Sequence, residues 1–330
     1  MIGVSVVVPN FDGARLLRRY LPGVLAMAQG YAGQTEVIVV DDGSTDESVS
    51  VLAAVGPGVR VIRHPRNLGF QAACNTGAGA AREPLVLFLN TDMDVTPDVL
   101  ARMARHFADD ATFAVAPRSL ITTWGSGPVA RGGPWNESIT SAEFHRGWLT
   151  LSYPGIRPGE DTSESFPDPR PILYAPGGAV MCRRDRFLML GGFDTLYAPF
   201  TVEDLDLCYR AWKRGWSVLY EPAALVYHEH SATIGRVGAR RRRRILARNF
   251  FLLHWKNLSD RRLLRTHLVW LGPRLALSLL RGEQAWATGF LLALGRLPRV
   301  LRGRGVEATE ARANDEDVVR RTSEARARLT

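Results

Sequence analysis

The first third of the chain alternates two kinds of apolar pattern. Val4-Ser5-Val6-Val7-Val8 is a short β-branched run of the buried-strand type, and Pro9 stops it. Leu16, Leu17, Tyr20, Leu21, Val24 and Leu25 then recur at helical spacing. Glu36 to Val40 predicts a second strand, ending in Asp41-Asp42-Gly43. Ser44-Thr45-Asp46-Glu47 reads as a capping box, so a helix is expected to start there with Val51, Leu52 and Val55 inward. Val59 to Ile62 is a third strand, Gly69 to Ala81 a small-residue helix, and Leu85 to Leu89 a fourth strand. Thr96-Pro97-Asp98 predicts the start of another helix, with Val99, Leu100, Met103 and Phe107 on its apolar face. This alternation predicts an α/β fold built on a mostly parallel, twisted sheet.

From about residue 119 to 171 the pattern breaks. Gly, Pro, Ser and Trp dominate, among them Trp124, Trp135 and Trp148, and a substrate-facing insertion is expected. Order returns at Ile172 to Cys182. A Gly191-Gly192-Phe193-Asp194 turn follows, then a helix from Glu203 to Arg214 that Gly215 ends. Trp216 to Tyr220 and Ala224 to Tyr227 read as two short strands.

After Ser231 the composition changes. Arg240 to Arg244 is a run of five arginines, and the apolar stretches beyond it are interrupted by Arg or His. The longest uncharged piece, Gln284 to Gly295, is too short to span a bilayer. Apolar faces set among arginines predict amphipathic helices lying in a membrane interface, with Phe250, Phe251, Trp255, Trp270 and Trp286 as anchors. The expected organisation is a catalytic unit over 1–235, a basic amphipathic extension over 236–305 and a charged tail over 306–330.

Charge sharpens this division. The chain carries +9, but residues 231–304 hold seventeen Lys/Arg against Asp260 and Glu283, so the remainder is acidic. An anionic membrane surface is the expected partner of the basic part; a nucleic acid is the rival. The aromatic and aliphatic interleaving after Phe250 favours the membrane. The cysteines, Cys74, Cys182 and Cys208, are scattered and make no metal or disulfide pattern, and no signal peptide is expected, so a cytoplasmic protein peripheral to the inner membrane face is the reading.

The candidate chemistry lies at strand ends, where α/β sheets bind ligands. Asp41-Asp42 can accept hydrogen bonds from ribose hydroxyls or a base N–H; two adjacent acids exceed what a helix cap needs. Asn90-Thr91-Asp92-Met93-Asp94 offers hard oxygen ligands that, with substrate phosphates, suit Mg²⁺ or Mn²⁺. Glu203-Asp204 in the first turn of a helix can supply a general base. No Gly-x-Gly-x-x-Gly follows the first strand and no P-loop exists, so dinucleotide oxidoreductases and P-loop NTPases fit poorly. A nucleotidyltransferase is the enzymatic rival, but Asn10-Phe11-Asp12-Gly13 lacks a glycine-rich first loop ending in a basic residue.

Val6-Val7-Val8-Pro9-Asn10, Val40-Asp41-Asp42-Gly43-Ser44, Asn67-Leu68-Gly69-Phe70, Leu89-Asn90-Thr91-Asp92, Gly191-Gly192-Phe193-Asp194 and Glu203-Asp204-Leu205-Asp206-Leu207 resemble, in this order, the motifs of family 2 glycosyltransferases with the GT-A fold. The resemblance covers roughly residues 3–235. It implies a nucleotide-sugar donor, inversion at the anomeric carbon and a glycan or lipid-linked acceptor. It implies that Asp41 and Asp42 hold the nucleoside, with Pro9, Asn10, Asn67 and Gly69 as further donor contacts. Asn90 and Asp92 occupy the two places of the family's Asp-x-Asp metal motif. Asn90 departs from it, so either Asp94 compensates or the metal binds through Asp92 alone. Asp204 takes the place of the catalytic base with Glu203 beside it, and His228 resembles a histidine that completes the metal shell. The Gln-x-x-Arg-Trp motif and transmembrane helices of processive synthases are absent from the sequence, which implies addition of one or few sugars, rhamnosyl or similar.

Overall fold

A computed structural model describes residues 1–124, 127–128, 135–157, 164–230 and 238–327. Strands β1 (Val4–Asn10), β2 (Thr35–Asp41), β3 (Arg60–Arg63) and β4 (Leu85–Leu89) run parallel, with β1 between β2 and β4. Helices α1 (Ala14–Gly30), α2 (Ser48–Val55) and α3 (Phe70–Ala80) make the crossovers. Past the short β5 (Met93–Val95) and α4 (Val99–Ala104) comes the long β6 (Thr112–Trp124), followed by the two-residue strands β7 (Gly127–Pro128) and β8 (Trp135–Asn136). A separate hairpin of β9 (Ser141–His145) and β10 (Trp148–Ser152) stands off the sheet. Then come β11 (Arg170–Pro171), β12 (Ala179–Arg183), α5 (Arg184–Met189), α6 (Glu203–Lys213) and β13 (Ser217–His230). The sheet order is β11-β13-β6-β12-β4-β1-β2-β3, with β12 antiparallel to both neighbours and β13 parallel to β6.

The period-two alternation of the strands sorts the core onto two faces. Val6, Val8, Val39, Leu85 and Leu87 pack with Leu17, Leu21 and Met27 of α1 and with Leu100 and Met103 of α4. Val7, Ile38, Val40 and Phe88 face the other way, onto Ala73, Cys74 and Ala78 of α3. The small residues of α3 are there for closeness. A Cβ on Gly77 would stand 2.3 Å from Val7 Cγ1.

Two local readings differ from the sequence-based expectation. Ser44 does not cap α2, which starts at Ser48. Its hydroxyl instead accepts from the Asp12 N–H at 2.9 Å and from Asn10 Nδ2 at 3.1 Å, holding the first loop. The two short strands after α6 are one strand, β13, with a register shift between Glu221 and Leu225.

The C-terminal part is α7 (Ala239–Asn257), α8 (Arg261–Leu280), α9 (Gln284–Leu294), α10 (Leu297–Glu310) and α11 (Asp315–Ala327). It is built into the molecule. Phe251, Leu252 and Leu253 of α7 are core residues, and Phe250, Trp255 and Trp286 pack against the same core. Asp206 of α6 accepts from Arg210 Nε at 2.7 Å, Lys256 Nζ at 3.0 Å, Asn257 Nδ2 at 2.8 Å and the Tyr197 hydroxyl at 2.7 Å. Opening such a buried network costs about 3–5 kcal/mol, so α6 and α7 act as one piece. The stretch expected as a charged tail also docks. Asp315 is fully buried and takes Lys213 Nζ and the Tyr209 hydroxyl, both at 2.8 Å, while Glu307 takes Arg214 Nη1 at 2.6 Å. Among the described residues no helix is long and apolar enough to cross a membrane.

Candidate active site

A cleft of about 670 Å³ opens at the carboxyl ends of β1, β2 and β4. Pro9, Asn10, Asp42, Asn67, Gly69, Asn90, Asp92, Glu203, Asp204 and His228 all line it. Ten of the twelve site residues expected from sequence therefore meet in one space. Asp41 and Asp94 do not line it.

On one wall, Asp42 is almost wholly buried and its carboxylate is already engaged. Oδ1 contacts His64 Nδ1 at 2.7 Å and accepts from the Leu68 N–H at 2.9 Å; Oδ2 accepts from the Gly69 N–H at 2.8 Å. Asp42 thus shapes the 67–69 loop, and its Oδ2 keeps acceptor capacity for a ligand. Gly69 sits at φ 96°, a conformation open to glycine. Asp41 turns into the sheet, accepting Asn10 Nδ2 at 3.1 Å and pairing with Arg63 at 3.3 Å. Asn10 Oδ1 is buried without a hydrogen-bond partner at the cleft wall, an acceptor that a ligand N–H or O–H would satisfy.

At the floor stand Asp92 and His228. His228 Nδ1 lies 2.7 Å from Glu137 Oε1 and its Nε2 lies 3.5 Å from Asp92 Oδ1. Burial works against a charged imidazole here, but Glu137 and Asp92 outweigh it and raise the group to about 10. Asp92 Oδ1 is buried with no hydrogen-bond partner. A carboxylate oxygen and an imidazole nitrogen face each other, and a second carboxylate fixes the far ring nitrogen; this suits a divalent cation that displaces the Nε2 proton. Among the described residues no three His, Cys, Asp or Glu side chains form a metal shell by themselves. A cation held by Asp92 and His228 would need phosphate oxygens from a substrate, which is how Mg²⁺ and Mn²⁺ sites on nucleotides are built. Asp94 lies on β5, paired with Tyr227 and exposed outside the cleft, so of the two alternatives the geometry favours Asp92 without Asp94.

The third wall carries Glu203 and Asp204 at the start of α6. Burial pushes Glu203 up to about 8, helped by the Asp204 charge beside it. Asp204 is raised too, again by burial, with N–H donors pulling the other way. Those donors are Gly177 to Oδ2 at 3.0 Å and Leu205 to Oδ1 at 2.8 Å. The two carboxyls are unequal: Glu203 keeps a proton at neutral pH, and the backbone N–H donors favour the charged form on Asp204.

The backbone entering this turn is strained. Thr201 and Val202, both β-branched, sit at φ 69° and 75°. Their conformation is held from α7. Asn249 Nδ2 contacts the carbonyls of Tyr197, Phe200 and Thr201 at 2.8–2.9 Å, and Arg248 donates to Tyr197 and Ala198. Sequence reasoning passed over Asn249 and Arg248. The signal was present: both are polar at positions in phase with the buried Ile245 and Leu252.

Other lining residues were equally unanticipated: Glu137 and Tyr153 from the insertion, Tyr174, and Arg241, Leu246 and Phe250 from α7. Trp148 is no platform for a ligand. It is buried, stacked on His254 with ring centroids 4.1 Å apart. The Trp124 side chain lies outside the described residues.

Comparison with known proteins supplies the family and the fold. The family model described as Glycosyl transferase family 2 matches residues 5–160, and that described as Glycosyl transferase family group 2 matches residues 85–298. A pre-mycofactocin glycosyltransferase of Mycobacterium tuberculosis is 31% identical over 69% of this chain and 43% of its own length. An N-acetylglucosaminyl-diphospho-decaprenol L-rhamnosyltransferase from the same organism is 28% identical over 71% of this chain and 78% of its own. The chain thus spans less than half of the first relative. Among solved structures, GalNAc-T7 with UDP, GalNAc and Mn²⁺ aligns over 84% of this chain and 57% of its own at TM-score 0.60 and 16% identity. TarS 1–349 of S. aureus aligns over 100% of this chain and 92% of its own at 0.53 and 19%. At such identities the structures speak for the fold.

Proposed function

The chain belongs to the family 2 glycosyltransferases, and from that premise we propose that it is an inverting, cation-dependent hexosyl- or deoxyhexosyltransferase. Its donor is a nucleotide-sugar and its acceptor a hydroxyl on a glycan or lipid-linked molecule. The observation that carries the reading is Asp204, a carboxyl held by two backbone N–H groups in the cleft that also holds Asn10, Asp42, Asp92 and His228.

Asp204 takes the proton of the acceptor hydroxyl as its oxygen bonds to the anomeric carbon. The bond from that carbon to the diphosphate breaks on the opposite face, and the nucleoside diphosphate leaves. Glu203, protonated beside it, spares the site a second negative charge. Asn10, Asp42 and the 67–69 loop hold the nucleoside, and Asn90 lies at the diphosphate side. A bound Mg²⁺ or Mn²⁺ supplies Lewis-acid neutralisation of the leaving group. Asp92 and His228 are the residues to hold it, and Glu137 orients the imidazole. The Mn²⁺ in the GalNAc-T7 structure and in that of a Pyrobaculum calidifontis mannosyltransferase with GDP-Man supports a cation with a nucleotide donor.

Leu151, Tyr153, Tyr174, Leu246 and Phe250 give the cleft an apolar, aromatic side, with Arg241 nearby. That lining, together with a relative named for a lipid diphosphate, supports a lipid-linked acceptor in cell-surface glycan synthesis. The protein then works at the cytoplasmic face of an anionic membrane, without a nucleic-acid partner.

A panel of nucleotide-sugars tests the proposal by scoring nucleoside diphosphate release, with and without chelator. One donor should stand out, release should need the cation, and the product should show inverted anomeric configuration by NMR. Pyrophosphate release, or a retained configuration, would contradict it.

A further inference from the structure

The anchors expected from sequence mostly point inward: Phe251 is core, and Phe250, Trp255 and Trp286 pack on that core. A different apolar surface is left outside. On α8, Leu268, Val269, Leu277 and Leu280 are 56%, 71%, 46% and 85% exposed, and on α9 Leu291 and Leu292 are 65% and 49% exposed. Between Leu268 and Leu280 the one charged residue, Arg274, is turned aside over the Trp148 ring at 4.9 Å. The α8–α9 hairpin, joined by the short turn Arg281–Glu283, therefore offers an apolar face to solvent. Single exposed leucines are ordinary, but six large apolar residues exposed on one hairpin mark an interaction surface.

Charge decides what that surface meets. Arg261 and Arg265 are exposed at the start of α8, where Arg262 between them pairs with Glu316, and Arg281 is exposed at the hairpin tip. From residue 261 to 306 the sequence holds a single acid, Glu283. A second copy of the chain would bring two strongly basic surfaces together, which like-charge repulsion opposes. An anionic bilayer offers both negative charge and an apolar layer at shallow depth.

We propose that the α8–α9 hairpin is the membrane-docking element, seating Leu268, Val269, Leu277, Leu280, Leu291 and Leu292 at the headgroup–acyl boundary while the arginines contact lipid phosphates. The inference rests on the membrane-associated reading above and names the surface that makes the contact. It is separate from sugar transfer. Leu246 and Phe250 line the cleft from α7, the helix against which α9 packs, so docking brings the acceptor side of the cleft near the membrane.

The test is sedimentation of the full chain with phosphatidylcholine vesicles, with and without phosphatidylglycerol. The wild type should bind the phosphatidylglycerol vesicles, and high salt should weaken binding without abolishing it. Leu280→Asp with Leu291→Asp should lower partitioning at least about tenfold and keep turnover on a water-soluble acceptor. Leu268→Asp with Val269→Asp is the second variant, should the first lose turnover through misfolding. If the wild type binds and both double variants bind equally well, the hairpin is not the docking element. If the wild type ignores anionic vesicles, the membrane reading itself fails. A lipid-free wild-type dimer that these substitutions make monomeric would assign the face to a second copy.

Discussion

Asp92 and His228 face each other across 3.5 Å, and Glu137 holds the far side of the ring. Neither Asp92 nor His228 alone makes a strong cation site. With a nucleoside diphosphate present, each would be one ligand among several. Asp92→Ala should therefore leave nucleoside diphosphate binding measurable but remove its tightening by Mn²⁺, as read by calorimetry with and without the metal. Full turnover after exhaustive chelation, or metal-enhanced binding retained in Asp92→Ala, would remove the cation from the account. At this scale the sequence was readable where position is set locally, at the strand ends that carry Asp42 and Asp92 and at the helix start that carries Glu203-Asp204, and these residues meet in one cleft. It was silent on Glu137, because the segment around it has no period and its partner lies 91 residues away. The adjacent acids Asp41 and Asp42 also could not be told apart, since alternation along the chain sends one carboxylate into the sheet and the other to the cleft.

At the scale of elements, α7 is the clearest departure from expectation. Its arginines and aromatics suggested a surface helix, yet Asn249 is fully buried under the turn that carries Thr201 and Val202. Asn249→Ala should cost about 1–3 kcal/mol of stability and lower turnover while donor affinity, measured by calorimetry, stays near wild type. A lowered melting temperature with unchanged turnover would mean that Asn249 serves stability alone. The β9–β10 hairpin docks on α7 and α8 by another route. Arg146 and Gly147, at φ 52° and 69°, form its two-residue turn, and a Cβ on Gly147 would meet the His267 backbone at 2.2 Å. Behind the turn, His254 stacks on Trp148 and on His267, and Arg274 lies over Trp148. Burial lowers His254 to about 3 and His267 to about 4. The unfolded chain takes up these protons below its ordinary value near 6.5 and the folded chain does not, so the stability these two imidazoles contribute is full above about pH 6.5 and is lost on acidification. By pH 5 the loss should be roughly 4 kcal/mol for the two together, at roughly 1.4 kcal/mol per pH unit each. Glu203, raised to about 8, gains stability over the same interval, so the check is chemical denaturation of wild type against His267→Gln at pH 7 and 5, the variant losing about 2 kcal/mol less on acidification. An equal pH dependence in the two proteins would show that the His267 imidazole is not buried neutral.

Over the whole molecule, an acidic catalytic half is married to a basic helical half, and the two share a core. The parallel sheet was legible because β-branched runs and helical periods are local signals. Which side of the C-terminal helices faces out was not. In α8 apolar residues surround the helix, so spacing alone does not separate Leu263, which is buried, from Leu280, which is exposed. Only the packing partners decide it, and they come from distant segments. The central claim is that this assembled cleft performs base-assisted sugar transfer through Asp204. Asp204→Asn keeps the shape and the hydrogen bond from Gly177 but removes the base. With the donor found in the panel, its turnover should fall about 10²- to 10⁴-fold while donor affinity is kept. Turnover near wild type in that variant would contradict the account.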